Sequence, residues 1–305
     1  MPAAVQPERI LKDLAKLWID LAKPDTEKNA SGVIRACAMT LIVGLEQRED
    51  TQEVGLTIAE LIHEHPSRAI VLRVDPSDGG TLDARVFAQC WMPFGKRQQI
   101  CCEEIEISTP VSRLADVPKL MLALTVPDLP VVLWARSPRL ALDSEFQQLF
   151  TLATKIIIDS ARFDDQEAAY RFVKSSNDAG RNVIDLAWTR LTPLRQLVAQ
   201  AFENSGQVRR VVLSYSGTGA RYLETWFRKA VPQAEVITTQ ENQVRVVLEG
   251  AAGSVSITLE DATSATVTMN DMSRRVALPE RNEQSLLREE LSIVGPDPIF
   301  RRILE

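Results

Sequence analysis

Histidine is nearly missing from this chain. Two occur in 305 residues, His63 and His65, which leaves acid–base chemistry by imidazole few candidates. Both fall at the end of one expected helix, where a solvated or capping role fits. Cysteine is also scarce: Cys37, Cys90, Cys101 and Cys102 form no C-x-x-C pair and are too few for a disulfide scaffold. A basic excess is lacking, with 35 Lys and Arg against 41 Asp and Glu and a pI near 5.3, which argues against nucleic acid as a partner. No run of 18 apolar residues exists, so no membrane span is expected. The opening MPAAVQPERILKDL reaches charge before any long apolar stretch and does not read as a signal peptide. G-x-x-x-x-G-K-[ST], G-x-S-x-G and H-E-x-x-H are all absent. A cytoplasmic protein with no assembled active site and no cofactor of its own fits these absences.

What is present is strong patterning. Asp185–Asn204 is the best-specified stretch: Thr192 stands where an N-cap belongs and Pro193 at the first helical position. Leu194, Leu197, Val198, Ala201 and Phe202 then follow at the spacing of one helix face. Residues 7–23 predict an amphipathic helix with Ile10, Leu14, Leu17 and Leu21 in one stripe, and 23–32 a loop. A strand is expected over 33–45, a helix over 53–65, a strand over 69–74 and a turn at 77–80. Strands 83–91 and 98–107 read as a hairpin. Helices over 114–124, 143–153 and 166–176 alternate with continuously apolar strands at 131–134, 155–159 and 182–184. Continuous apolar strands are covered on both faces, and the strand–helix rhythm implies a mainly parallel α/β sheet with flanking helices.

From 210 onward the composition shifts. A strand at 210–215 and a helix near 220–230 precede five short strands, 235–238, 244–248, 254–259, 265–269 and 275–278, which predict an antiparallel meander, then two last helices. The division expected is an N-terminal α/β domain over 1–165 and an α+β C-terminal domain over 166–305. Gly217 and Gly219 follow a strand, but the third position of G-x-G-x-x-G is Tyr222, too large for that motif, so a plain turn is expected.

Ligands on parallel sheets gather at strand ends. The partner- or ligand-binding candidates are Arg68, Asp128, Trp134, Arg136, Asp159, Ser160, Asp185, Trp188 and Arg190, of which Arg68, Asp128, Trp134, Arg136, Asp159, Trp188 and Arg190 are expected to form one connected site. At the 185–195 corner the competing reading is a packed strand-to-helix junction with Trp188 in the core. Glu103, Glu104 and Glu106 are expected on an edge or solvent face. Alternation points vicinal Cys101 and Cys102 in opposite directions, so they should not pair with each other. A bond from Cys90, on the facing strand, to either one is conceivable, making Cys90, Cys101 and Cys102 the redox candidates. Four reduced thiols are the expectation.

The stretches HPSRAIVLR at 65–73, AQC at 88–90, QQICCEEIEI at 98–107, VPDLPVVLW at 126–134, IIIDSARF at 156–163 and DLAWTRLTP at 185–193, in this order, resemble the OpcA family of glucose-6-phosphate dehydrogenase assembly proteins. The resemblance is strong from about 11 to 202 and looser through the YSG turn at 215–217 and the strand-rich tail. It implies a non-enzymatic partner that binds glucose-6-phosphate dehydrogenase, promotes its active oligomer and raises its activity. NADPH production in the oxidative pentose phosphate pathway, and the cofactor, would belong to that enzyme. In photosynthetic members the family is linked to thioredoxin-dependent control, which makes thioredoxin a further partner to consider. The family has no catalytic residues to carry over. The alternative is a sugar-phosphate- or nucleotide-binding α/β enzyme using the strand-end cleft, with Asp159 or Asp185 as its acid or base.

Overall fold

Apolar runs that cannot face water organise the first half of the chain. A computed structural model describes residues 6–23, 33–77, 80–93, 95, 98–215, 217–239, 241, 243–270 and 272–305. Its contacts divide the chain into two units. Residues 24–32 of the loop expected over 23–32, and the 78–79 pair of the turn, lie outside the described residues.

The first unit comprises Met1–Ile158, Arg181–Val183 and Leu291–Gly295. In order it holds α1 (Pro7–Leu21), β1 (Val33–Arg35), β2 (Met39–Glu46), α2 (Thr51–Leu61), β3 (Ser67–Asp75), β4 (Asp83–Trp91), β5 (Gln99–Pro110), α3 (Val117–Leu124), β6 (Val131–Ala135), α4 (Pro138–Leu142) and β7 (Lys155–Ile158). The sheet runs β1-β5-β3-β2-β6-β7 and ends in β8 (Val183–Asp185), whose Val183 belongs to this unit. Every pairing from β1·β5 to β6·β7 is parallel, and β4 runs antiparallel on β5. β2, β3 and β6 are buried almost end to end, as a sheet covered on both faces requires. The α2 start is fixed by Asp50, whose carboxylate accepts from the Gln52 and Glu53 N–H groups. The 291–295 segment is held to β7 because Lys155 Nζ donates to the Ile293 carbonyl at 2.8 Å.

Four expectations need correction here. The strand over 33–45 is two strands, broken at 36–38 because the chain changes neighbours: the Ala36 N–H goes to Cys101 and the Ala38 N–H to Pro66. The helix over 143–153 is only a 3-10 turn, Phe146–Thr151, entered through Asp143 accepting from the Glu145 and Phe146 N–H groups, while the short α-helix here, α4, ends before it at Leu142. Glu103 and Glu104 are not solvent-facing: they are 3% and 7% exposed, because β5 has strand neighbours along both sides and α1 lies over the β4 hairpin. The thiols are not all reduced. Cys90 and Cys101 stand directly opposite in the β4·β5 register and form a disulfide, leaving Cys37 and Cys102 free.

The second unit comprises Asp159–Gly180, Ile184–Glu290 and Pro296–Glu305. It holds α5 (Gln166–Asp178), α6 (Leu186–Arg190), α7 (Thr192–Ser205), β9 (Val208–Ser214), α8 (Thr218–Ala230), β10 (Glu235–Thr239), β11 (Arg245–Gly250), β12 (Gly253–Asp261), β13 (Ser264–Met269), β14 (Met272–Ala277), most of α9 (Glu283–Ser292), and α10 (Pro298–Leu304). Its sheet runs β10-β9-β11-β12-β13-β14. The last four strands are the expected antiparallel meander. β10 is a correction: it pairs parallel with β9, since α8 between them supplies the crossover a parallel pair needs. α7 packs on β11 and β12, and α8 on β9 and β10. Thr192 is not the N-cap of α7. Leu191 holds that position, and the Thr192 hydroxyl is drawn away to Glu289 Oε1 at 2.8 Å. No helix among the described residues is long and apolar enough to cross a membrane.

Candidate functional site

Asp185 ends β8 and is fully buried in the second unit. A buried carboxylate is costly unless donors surround it, and here three do. Oδ1 accepts the Ser160 N–H at 3.0 Å and the Ala187 N–H at 2.9 Å, and Oδ2 accepts the Tyr222 hydroxyl at 2.8 Å. Burial nonetheless pushes the Asp185 pKa up, against the pull of those N–H groups. The Ala187 bond also starts α6, and so turns the chain toward Trp188 and Arg190.

Asp159 lies one short turn away. Its two carboxylate oxygens take Arg190 Nη1 and Nη2 at 3.2 and 2.9 Å, a bidentate pair of the strong kind. Burial opposes the Arg190 charge, but Asp159, helped by Asp185 and Tyr215, holds its pKa above the ordinary range. Trp188 is 1% exposed. Its Nε1 donates to Asp297 Oδ2 at 2.9 Å, its ring meets Tyr222 and Phe300, and the Arg195 guanidinium stacks 3.6 Å above it. Burial brings the Arg195 pKa down to about 10, against the pull of Asp297, Glu289 and Glu290.

Beside Arg190 a cleft of about 330 Å³ opens within this unit, at the small end of the ligand-pocket range. Leu191, Pro193 and Leu194 form one wall, Tyr215 stands at the end of β9, and Leu259, Asp261 and the 278–282 segment close the other side. Burial raises the Tyr215 pKa, and the nearby Arg190 charge partly offsets that. Asp261 is held down to about 2, first by the Thr263 N–H and then by the Ser264 and Thr263 hydroxyls, so it is a weak base. Asp159 and Asp185 are not among the residues lining the cleft. What the cleft offers is recognition: an apolar wall, a phenol and guanidinium groups.

The residues expected to connect do not behave as one strand-end cluster. Within the first unit, Arg68 opens β3 and the exposed Asp128 precedes β6, both at the amino end of the sheet, whereas Trp134 and Arg136 stand at the carboxyl end of β6. A parallel sheet separates those two ends by the length of its strands. Arg68 is buried, donating from Nε to Glu103 Oε2 at 2.6 Å and from Nη1 to the Leu124 carbonyl at 2.7 Å. Glu103 also takes Arg35 and Trp18 Nε1. Arg136 pairs with Glu49 and Glu53. Trp134, like Trp188, is 1% exposed. Both tryptophans are core side chains that shape their surroundings and present no contact surface.

Within the second unit, Asp159, Ser160, Asp185, Trp188 and Arg190 do come together. Tyr215, Tyr222 and Arg281 were missed. Tyr222 carried a signal: too large for a third dinucleotide glycine, it is the partner that a buried Asp185 needs. Gly217 is the plain turn expected. It has φ +78° and a Cβ there would meet Gln166 Oε1 at 2.5 Å, while the Thr218 N–H donates to that same oxygen. Among the described residues no group of three His, Cys, Asp or Glu is placed to hold a metal.

Residues 59–175 match the family model for the glucose-6-phosphate dehydrogenase subunit N-terminal domain, and 181–304 match that for its C-terminal domain. An OxPP cycle protein named OpcA from Synechocystis is 31% identical over 153 residues, 49% of this chain and 32% of that protein. A namesake from Nostoc punctiforme is 27% identical over 165 residues, 51% of this chain and 35% of that protein. The chain thus spans about a third of the length of these curated relatives. A solved structure of biliverdin reductase from Synechocystis, with biliverdin and NADP+, covers 89% of this chain and 95% of its own with 10% identity and a TM-score of 0.47. These last values assign no chemistry to this chain.

Proposed function

Because the chain belongs to the OpcA family of glucose-6-phosphate dehydrogenase assembly proteins, we propose that it binds glucose-6-phosphate dehydrogenase and serves as a non-enzymatic assembly factor and allosteric activator in the oxidative pentose phosphate pathway. The observation that carries the reading is the pair of consecutive family-model matches, which together run from 59 to 304 with only 176–180 between them. The geometry is consistent with it. The cleft next to Arg190 offers an apolar wall, a phenol and guanidinium groups, and the two carboxylates the enzyme alternative would use, Asp159 and Asp185, are committed to Arg190 and to three hydrogen-bond donors.

An activator works by binding the active form of its target more tightly than the inactive form, since equal affinity shifts nothing. By linkage, a substrate that favours the active form in turn tightens the complex. The test is steady-state kinetics of the dehydrogenase from the same organism with and without this protein, alongside light scattering. A raised turnover or a lowered apparent KM, with a larger assembled mass, is expected. No association at micromolar concentration and no rate change would end the reading. Turnover of a sugar phosphate by this chain alone would replace it with the enzyme alternative.

A further inference from the structure

The sheet of the second unit has two unlike faces. Cross-strand partners share a face, so the registers can be read as rows. One row is Leu248, Val255, Met269, Met272, and the next is Val246, Ile257, Val267, Arg274. The rows of the reverse face run Val247, Ser256, Thr268, Ser273 and Arg245, Thr258, Thr266, Arg275, mostly polar. Along the apolar rows burial fades from the centre to the β14 edge. Leu248 and Ile257 are fully buried and Val255 is 3% exposed, Val267 and Met269 are half-buried, and Met272 is 71% exposed.

The reason is the helix layer above. Neighbouring strands lie about 4.8 Å apart and packed helices about 8–10 Å apart, so one helix covers about two strands. α8 covers β9 and β10, and α7 covers β11 and β12. The two helices lie side by side, with Phe202 edge-on to Phe227 at 6.2 Å. The layer stops at α7, while the apolar rows continue across β13 and β14. What results is a groove of about 460 Å³ with Leu197 and Ala201 of α7 on one wall and Val267, Met269, Met272 and Arg274 on its floor and rim.

We propose that this groove docks an amphipathic helix of the partner, laid alongside α7 as the third member of the helix layer. The helix would set an apolar stripe on Val267, Met269 and Met272 and a carboxylate against Arg274. This rests on the functional reading above, so the partner is the dehydrogenase. The helical shape follows from the two-strand width of the exposed face. Its stripe follows from two methionines, whose flexible, polarizable side chains adapt to another surface. The carboxylate follows from Arg274, an exposed cation that makes no ion pair among the described residues.

The test uses the full chain and the dehydrogenase from the same organism, with affinity measured by sedimentation or interferometry. Met272→Glu puts a charge on the apolar floor at a solvent-exposed position, and Arg274→Glu reverses the rim charge. Each is expected to weaken binding at least about tenfold, with thermal unfolding unchanged within a few degrees. Ser254→Glu, exposed on the reverse face, is expected to leave affinity within about twofold. If the wild-type chain binds and both groove variants bind equally well, the groove is not the docking site and the functional reading survives. If the wild-type chain does not bind the dehydrogenase, both fall. If Met272→Glu instead abolishes self-association while dehydrogenase binding persists, the occupant is a second copy of this chain and the proposal is overturned.

Discussion

The Tyr222 hydroxyl donates to Asp185 Oδ2 at 2.8 Å in the interior of the second unit. That bond joins the start of α6 to the middle of α8, so one carboxylate sets both the turn after β8 and the seat of a helix on the sheet. Because burial raises the Asp185 pKa, its contribution to stability is fully present below the unfolded value of 3.8 and is lost as pH rises through the raised folded value. Asp185→Asn removes the titration. The amide oxygen can keep the two N–H bonds and the amide NH₂ can donate to Tyr222 Oη. Asp185→Asn is therefore expected to gain stability relative to the wild type as pH rises above the unfolded value of 3.8, read as urea midpoints. Tyr222→Phe should cost about 1–3 kcal/mol, because it strands a carboxylate oxygen without its donor. Equal pH profiles for wild type and Asp185→Asn would contradict this account.

In the first unit the corresponding device is Glu103, which holds the Arg68 guanidinium at 2.6 Å and the Arg35 guanidinium at 2.8 Å. Arg68 and Glu103 are both buried, while Arg35 is about half exposed. Arg68→Met should destabilise by about 3–5 kcal/mol, the usual cost of leaving a buried charge without its partner. The double variant Arg68→Met/Glu103→Met should recover part of that loss, because Arg35 can return to water. A double variant as unstable as the sum of its singles would mean that packing, not charge, dominates the site.

These two carboxylates also mark where sequence reading stopped. The strands at 131–134 and 155–159 were legible because uninterrupted apolar runs have one outcome, burial on both faces. The face of α7 was legible from its spacing. Glu103 was not, since its partners Trp18 and Arg68 lie 85 and 35 residues away, and only the tertiary fold decides that a run of glutamates turns inward. The connected strand-end site failed for a related reason. A list of residues flanking strands does not say which end of a parallel sheet each one occupies, and Arg68 and Arg136 occupy opposite ends. The parallel β10 was hidden because a five-residue strand carries no mark of its partner's direction.

The Cys90–Cys101 bond gives a direct count. Denatured without reductant, the protein should titrate two thiols, Cys37 and Cys102, and four after reduction. Cys90 is exposed and Cys101 is fully buried, so Cys90→Ser places its hydroxyl in water and leaves a buried thiol that acts as a small hydrophobe. With a sequence separation of 11, loss of the cross-link should cost about 3 kcal/mol through the freed chain entropy of the unfolded state. Four thiols before reduction would show that the register allows the bond without forming it.

The last expectation concerns a close approach in the first sheet. A Cβ on Gly44 would stand 2.3 Å from Phe146 Cζ and 2.5 Å from its Cε2, and both residues are buried. Gly44 is paired on both sides, opposite Leu72 of β3 and Ala135 of β6, and its carbonyl accepts the Arg136 N–H at 3.0 Å. The backbone therefore cannot shift to relieve the clash without breaking ladder bonds. Gly44→Ala should cost about 1–3 kcal/mol, the range for overpacking a filled core. Phe146→Leu alone should also destabilise, since it withdraws ring atoms from a full core and leaves a cavity. Combined, the new methyl group occupies part of the space the ring gives up, so Gly44→Ala/Phe146→Leu should be more stable than the sum of the singles predicts by at least about 0.5 kcal/mol. Chemical denaturation of the four proteins measures this coupling, and strict additivity would mean that the methyl group and the ring do not compete for one volume.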